Sequence, residues 1–168
     1  MRRTPAAVIS TLFFAAAPGT VAVLVPWWIT GWESRSPLPG WAMTPLRALG
    51  VLLVLAGAAV IVNAFARFVV EGLGTPLPAA PPERLVVGGL YRYVRNPMYV
   101  AVFSAVIGQA MVLGQPSLLL YVAVVAVPVV AFVRWYEEPT LRAKFGADYD
   151  SYRSQVPGWW PRLRPYRP

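Results

Sequence analysis

The chain has 168 residues, of which 57% are hydrophobic and only 13% charged, with a mean hydropathy of +0.54 and a formal net charge of +8. A soluble domain carries about a quarter of its residues as charges, so this composition excludes an ordinary soluble fold and predicts one integral membrane domain, residues 1–168, without a separate soluble unit. Cysteine and histidine are both absent, which removes disulfides, thiol nucleophiles, imidazole bases and the usual zinc or haem ligand sets, and no metal is expected.

Four apolar stretches predict an all-α polytopic bundle of about four spans, because about 30 Å of hydrocarbon takes about 20 helical residues to cross. The first runs from Ala6 to Ile29 and the second from Pro45 to Val70. These two spans carry no motif. Met1-Arg2-Arg3 and Ala15-Ala16-Ala17 also fit a cleavable secretory signal, but the apolar run continues to Trp27-Trp28, which reads as a crossing that ends in an aromatic belt. A polar segment rich in proline and glycine, Glu71 to Asn96, follows, stiffened by Pro76, Pro78, Pro81 and Pro82.

The third stretch, Pro97 to Leu113, and the fourth, Ser117 to Trp135, are joined by Leu113-Gly114-Gln115-Pro116, a link short enough to force an antiparallel hairpin. Pro97 and Pro116 are expected at first helical positions, and Pro128 predicts a kink. Asn63 and Gln109 fit hydrogen bonds between helices, and Ser104-x-x-x-Gly108 offers a small face for close packing.

Beyond Trp135 the chain changes character. Leu141, Phe145, Tyr149 and Tyr152 fall on one helical face, which predicts an amphipathic helix lying on the membrane surface, interrupted by Gly146. Pro157-Gly158-Trp159-Trp160-Pro161 and the arginines at 162, 164 and 167 suit the headgroup zone. Four spans put the amino terminus, the Glu71 to Asn96 segment and the tail on one side, with every one of the 15 lysines and arginines except Arg35 and Arg47. The positive-inside rule then predicts both termini in the cytoplasm. Topology and attraction to anionic lipid account for the net charge. Nucleic-acid binding is not expected, since no DNA or RNA motif accompanies the basic residues.

Two polar clusters remain: Gly89-Leu90-Tyr91-Arg92-Tyr93-Val94-Arg95-Asn96-Pro97-Met98-Tyr99, and Glu137-Glu138-Pro139 at the end of the fourth stretch. Taken singly, Arg92 and Arg95 fit headgroup anchors, and Tyr91, Tyr93 and Tyr99 fit belt aromatics. The glutamates oppose the dipole of the helix they close and sit near membrane depth, where charge is costly and usually functional. If Pro139 starts the tail helix, Glu138 gains that helix's favourable amino end, with Arg134 and Arg142 within ion-pair reach.

The order Gly-x-Tyr-Arg-x-Val-Arg-Asn-Pro-Met-Tyr, hydrophobic hairpin, Glu-Glu-Pro-x-Leu-x-x-x-Phe-Gly-x-x-Tyr-x-x-Tyr resembles the isoprenylcysteine carboxyl methyltransferase and phospholipid methyltransferase superfamily of membrane enzymes, over residues 71–161. The resemblance implies S-adenosylmethionine as methyl donor, S-adenosylhomocysteine as product, and a lipid-like or isoprenylated acceptor reaching the site from the bilayer. It implies a cofactor pocket built from Tyr91, Arg95, Asn96, Pro97, Met98, Tyr99, Glu137 and Glu138. Gly72, Gly74, Tyr149 and Tyr152 are weaker candidates, and Glu138, Arg153 and Asn96 are the candidates for a catalytic role. Many isoprenylcysteine enzymes carry Arg-His-Pro where this chain has Arg95-Asn96-Pro97; asparagine cannot take up a proton near neutral pH, so position 96 is no base. Two alternatives stand beside this reading: a sterol-reductase-like enzyme using NADPH, which the carboxyl-terminal half resembles more distantly, and a non-catalytic scaffold.

Overall fold

The computed structural model describes residues 16–71 and 85–167, and all regular structure among them is helical. The start of the first apolar stretch, the glycines at 72 and 74 and the proline connector lie outside the described residues. Helix α1 spans Ala16–Thr30, α2 Gly40–Glu71, α3 Pro97–Leu113 and α4 Ser117–Phe132. A wider turn, Val133–Glu137, carries α4 directly into α5, Glu138–Phe145, and α6 covers Ala147–Gln155. Two stretches are long and apolar enough to cross a membrane, Gly40–Asn63 with 24 residues and Ser117–Phe145 with 29; α1 and α3 are apolar but shorter. Of the expected four spans, the second and fourth are full-length helices and the third is short, while the first is described only from Ala16 onward. Only 11% of the apolar window of each long helix is buried within the protein, which separates both from the core helix of a soluble fold.

Local chemistry explains where these helices begin and end. Asn96 precedes α3 with non-helical backbone angles and Pro97 takes the first turn, where a missing N–H costs nothing. Gly114 closes α3 in the left-handed region at φ 64°, a conformation that favours glycine, and its N–H returns to the Ala110 carbonyl. Pro116 is the cap residue of α4, one position before the helix starts rather than its first residue.

The first three helices are held by close backbone approach and by side chains that reach carbonyls. A Cβ on Gly50 would sit 2.6 Å from the Gly108 carbonyl oxygen, and one on Gly108 equally close to that of Gly50, so α2 and α3 touch backbone to backbone. Helix α1 contains a wide turn, Thr20–Leu24, whose loosened carbonyls are capped from outside: Gln109 Nε2 donates to Ala22 at 2.7 Å and the Tyr121 hydroxyl to Val21 at 3.0 Å. At the opposite end of the bundle from Asn96, Arg47 donates to the carbonyls of Val112 and Arg35 and to the hydroxyls of Ser34 and Ser36. Gln115 reaches the Glu33 carbonyl at 2.7 Å, so the α1–α2 loop is tied to the α3–α4 turn. Ala22, Val102, Val106, Ala110 and Leu118 form the core between these elements.

A second core, separate from the first, lies in the tail: Tyr149, Tyr152, Val156 and Tyr166, backed by Leu85, Val87, Leu141 and Phe145. The four residues expected on one face do converge, but not on one helix. Gly146, at φ 54°, breaks the segment into α5 and α6. Pro139 does not start a detached tail helix either, since the chain stays helical from Ser117 through Phe145.

Candidate functional site

Pro139 shapes the segment that carries the acidic pair. Its ring has no N–H to give and cannot sit against the carbonyl four residues back, that of Trp135. The helix widens just before it: the Glu138 N–H bonds to Val133, five residues back, and the Thr140 hydroxyl donates to Tyr136 at 2.6 Å. Neighbouring residues on a helix point about 100° apart, so Glu137 and Glu138 face different partners.

Glu138 is buried and ion-paired. Its Oε1 takes a 2.7 Å hydrogen bond from Arg95 Nη1, and its Oε2 lies 3.2 Å from Arg153 Nη2 and 3.5 Å from Arg134 Nη1. The side chains of Arg95 and Glu138 keep only 13% and 11% of their surface, which makes this a desolvated pair with close, charge-assisted geometry. Arg95 also donates from Nη1 to the Tyr149 hydroxyl at 3.1 Å and from Nε to the Val156 carbonyl at 2.9 Å. Of the two arginines within expected reach of Glu138, Arg134 pairs with it and Arg142 pairs with Asp150 instead.

Glu137 has a different environment. Its Oε2 is buried without a hydrogen-bond partner among the described residues, whereas buried carboxylate oxygens are ordinarily satisfied. The Tyr99 hydroxyl lies beside this carboxylate, and Tyr91 is close enough to feel its charge. Burial and the Glu137 charge push the Tyr91 hydroxyl up to about 12, so it stays a neutral donor at physiological pH. Burial likewise raises Tyr149, against the opposing charge of Arg95. Tyr99 also meets Trp159, with ring centroids 6.2 Å apart.

The Arg92 to Asn96 segment is held from the tail side by a ladder of backbone bonds. The Arg95 N–H donates to Pro157 and the Asn96 N–H to Gly158; in the reverse direction the Arg162 N–H donates to Tyr93 and the Tyr166 N–H to Arg92. Asn96 Nδ2 adds a second bond to the Gly158 carbonyl at 3.1 Å, and Arg92 Nε donates to the Tyr166 carbonyl at 2.7 Å. The Tyr152 hydroxyl donates to the Tyr91 carbonyl at 2.7 Å.

The structure thus brings together Tyr91, Arg95, Asn96, Tyr99, Glu137, Glu138, Tyr149, Tyr152 and Arg153. Pro97 and Met98 lie on the first turn of α3 beside them. Gly72 and Gly74 fall outside the described residues. Sequence reasoning missed the tail strap: Val156, Pro157, Gly158 and Tyr166 act through main-chain carbonyls or amides, which no side-chain pattern encodes. Trp159, read as an interface anchor, packs against a site tyrosine.

No solved structure matches the chain. A Protein-S-isoprenylcysteine O-methyltransferase from Schizosaccharomyces pombe (strain 972 / ATCC 24843) is 36% identical over 79 residues, which is 47% of this chain and 34% of that protein; the match thus spans about a third of the relative's length. The profile of the phospholipid methyltransferase family matches residues 45–148, well over half of the sequence, from α2 through both polar clusters into α6. With two helices long and apolar enough to cross a membrane and these matched clusters, the chain belongs to the phospholipid methyltransferase family of membrane methyltransferases.

Proposed function

We propose that the protein transfers a methyl group from S-adenosylmethionine to an amphiphilic, lipid-like or isoprenylated acceptor at the cytoplasmic face of the membrane. The observation that carries this reading is the buried Oε2 of Glu137, without a hydrogen-bond partner among the described residues, on a carboxylate that has the Tyr99 hydroxyl beside it. S-adenosylmethionine is a cation with an ammonium group, two ribose hydroxyls and a flat adenine, and these are the groups that an acceptor-only oxygen and aromatic faces bind. The residues fit the group.

Glu137 would accept a hydrogen bond from the ammonium or a ribose hydroxyl, and Tyr91, Tyr99 and Trp159 would offer faces to the cation or the base. Arg95 and Glu138 already neutralise one another, and they fix the position of the 92–96 segment relative to the wide turn. Bound there, S-adenosylmethionine supplies an electrophilic methyl group. The chain's own residues then contribute positioning and exclusion of water, which can supply most of the acceleration of an in-line displacement. A carboxylate acceptor releases no proton; an amine acceptor does, and with no histidine in the sequence that proton would leave to a carboxylate or to water.

The side of the membrane follows from charge. Arg92, Arg95, Arg134, Arg142, Lys144 and Arg153 all lie on the segments around the site, while Arg35 and Arg47 hold the loop at the other end. This asymmetry supports a cytoplasmic site.

Calorimetric titration with S-adenosylhomocysteine, with NADPH as the comparison ligand, tests the reading. The wild-type protein should bind the homocysteine compound saturably. Glu137→Gln should weaken that binding by about 10- to 100-fold, as loss of a hydrogen bond to a charged group worth about 1.5–3 kcal/mol implies. Binding of NADPH instead would favour the reductase alternative; binding of neither by folded protein would favour the scaffold.

A further inference from the structure

The tail strap carries a feature that the methyltransferase reading does not use. Between its rungs to the 92–96 segment, the strap turns two large apolar side chains outward: Trp160 is 81% exposed and Leu163 is 99% exposed. Both lie between backbone bonds that tie Gly158, Arg162 and Tyr166 to Asn96, Tyr93 and Arg92, so their outward position is set by the ladder. Exposed Arg164 and Arg167 flank them. In the wide turn after α4, Trp135 is 79% exposed, next to Arg134.

Water is a poor solvent for an exposed indole and leucine. The interfacial zone of a bilayer is a good one, because it takes the rings and alkyl groups into the acyl boundary and leaves cations among the headgroups. We propose that the Trp160–Leu163 tip of the strap inserts into the anionic membrane surface on this side of the protein, with Arg164 and Arg167 on lipid phosphates, and that this contact holds the strap against the 92–96 segment. Charge complementarity, exposed Arg164 and Arg167 beside two exposed apolar side chains, selects the bilayer as the occupant. The +8 net charge and the arginines beside both indoles favour anionic lipid. The site then senses the surface through main-chain bonds: lifting the tip loosens Pro157 and Gly158, the acceptors of the Arg95 and Asn96 amides.

The absence of cysteine makes the experiment direct. Leu163→Cys and, as an aqueous reference, Ser151→Cys on exposed α6 are each spin-labelled in the full chain. They are reconstituted into nanodiscs of phosphatidylcholine alone or mixed with phosphatidylglycerol, and accessibility to molecular oxygen and to a water-soluble nickel chelate is measured. The label at 163 should favour oxygen over nickel severalfold relative to the label at 151, more strongly in the anionic discs. Arg164→Glu combined with Arg167→Glu should abolish that lipid dependence. A label at 163 as open to nickel as the one at 151 would overturn the proposal. So would a label shielded from both reagents, which would mean that protein covers the tip. The readout needs no cofactor, so its outcome is independent of whether the donor site is assigned correctly.

Discussion

Glu138 is gripped by Arg95, Arg153 and Arg134, whereas its neighbour Glu137 keeps a buried oxygen without a partner among the described residues. The two carboxylates are therefore not interchangeable. Removing Glu138 leaves the Arg95 guanidinium, 13% exposed, without its counter-ion, and breaking a buried pair from one side costs roughly 3–5 kcal/mol. Glu138→Leu should accordingly lower thermal stability sharply, and combining it with Arg95→Met should restore part of the loss. Thermal unfolding of the singles and the double in detergent measures this; equal destabilisation by the double and the sum of the singles would show that the pair is not coupled. Glu137→Gln should leave stability almost unchanged while weakening cofactor binding. In the sequence the i, i+4 spacing points to Arg134 as a partner of Glu138, and that pair is formed; the pairs with Arg95 and Arg153 and the unpartnered oxygen of Glu137 appear only in the fold.

At the scale of elements, a proline decides how the acidic pair is presented. The wide turn before Pro139 is the response of a continuous helix to a residue without an N–H, and the Thr140 hydroxyl takes over one of the carbonyls nearby. Pro139→Ala should let the helix regularise. The helix itself should become no less stable, because alanine is by far the better helix former, but Glu137 and Glu138 should rotate away from Tyr99 and Arg95. The expected outcome is unchanged helix content by circular dichroism with S-adenosylhomocysteine binding reduced at least tenfold. Retained affinity would mean that the turn does not set the site. The sequence reads Pro139 as a possible helix start; the structure places it in the first turn of α5, which runs on without a break from α4 through the wide turn. Gly108 illustrates the opposite case. Its small-residue spacing predicts a close approach, but the partner, Gly50 on α2, is visible only in the packed bundle.

On the whole-molecule scale, the site is assembled from three distant stretches. Arg95 meets Glu138 across 43 positions and Val156 across 61, and Asn96 meets Gly158 across 62. Only the hairpin of α3 and α4, returning the chain to the same end of the bundle, makes these contacts possible. Truncation after Gln155 would remove the four-rung backbone ladder and the acceptors of Arg92, Arg95 and Asn96. The helices before it should still insert, since their lengths and apolar faces are unaffected. Cofactor binding should be lost, and the 92–96 segment should become susceptible to proteolysis; a truncated protein that binds normally would show that the strap is dispensable.

By itself, the sequence determined the membrane class, the ends of α3, the α3–α4 hairpin, the amphipathic residues of the tail and the two polar clusters, because each depends on composition, apolar spacing or the local chemistry of proline and glycine. It also carried the family, through motif order. The tertiary structure decided that Glu138 also meets Arg95 and Arg153, that Glu137 is left with an unpartnered oxygen among the described residues, and that the last residues of the tail form a strap along the motif. Those outcomes rest on main-chain hydrogen bonds and burial between segments far apart in the chain, and such contacts depend on how the helices return in space rather than on the identity of the residues along any one of them.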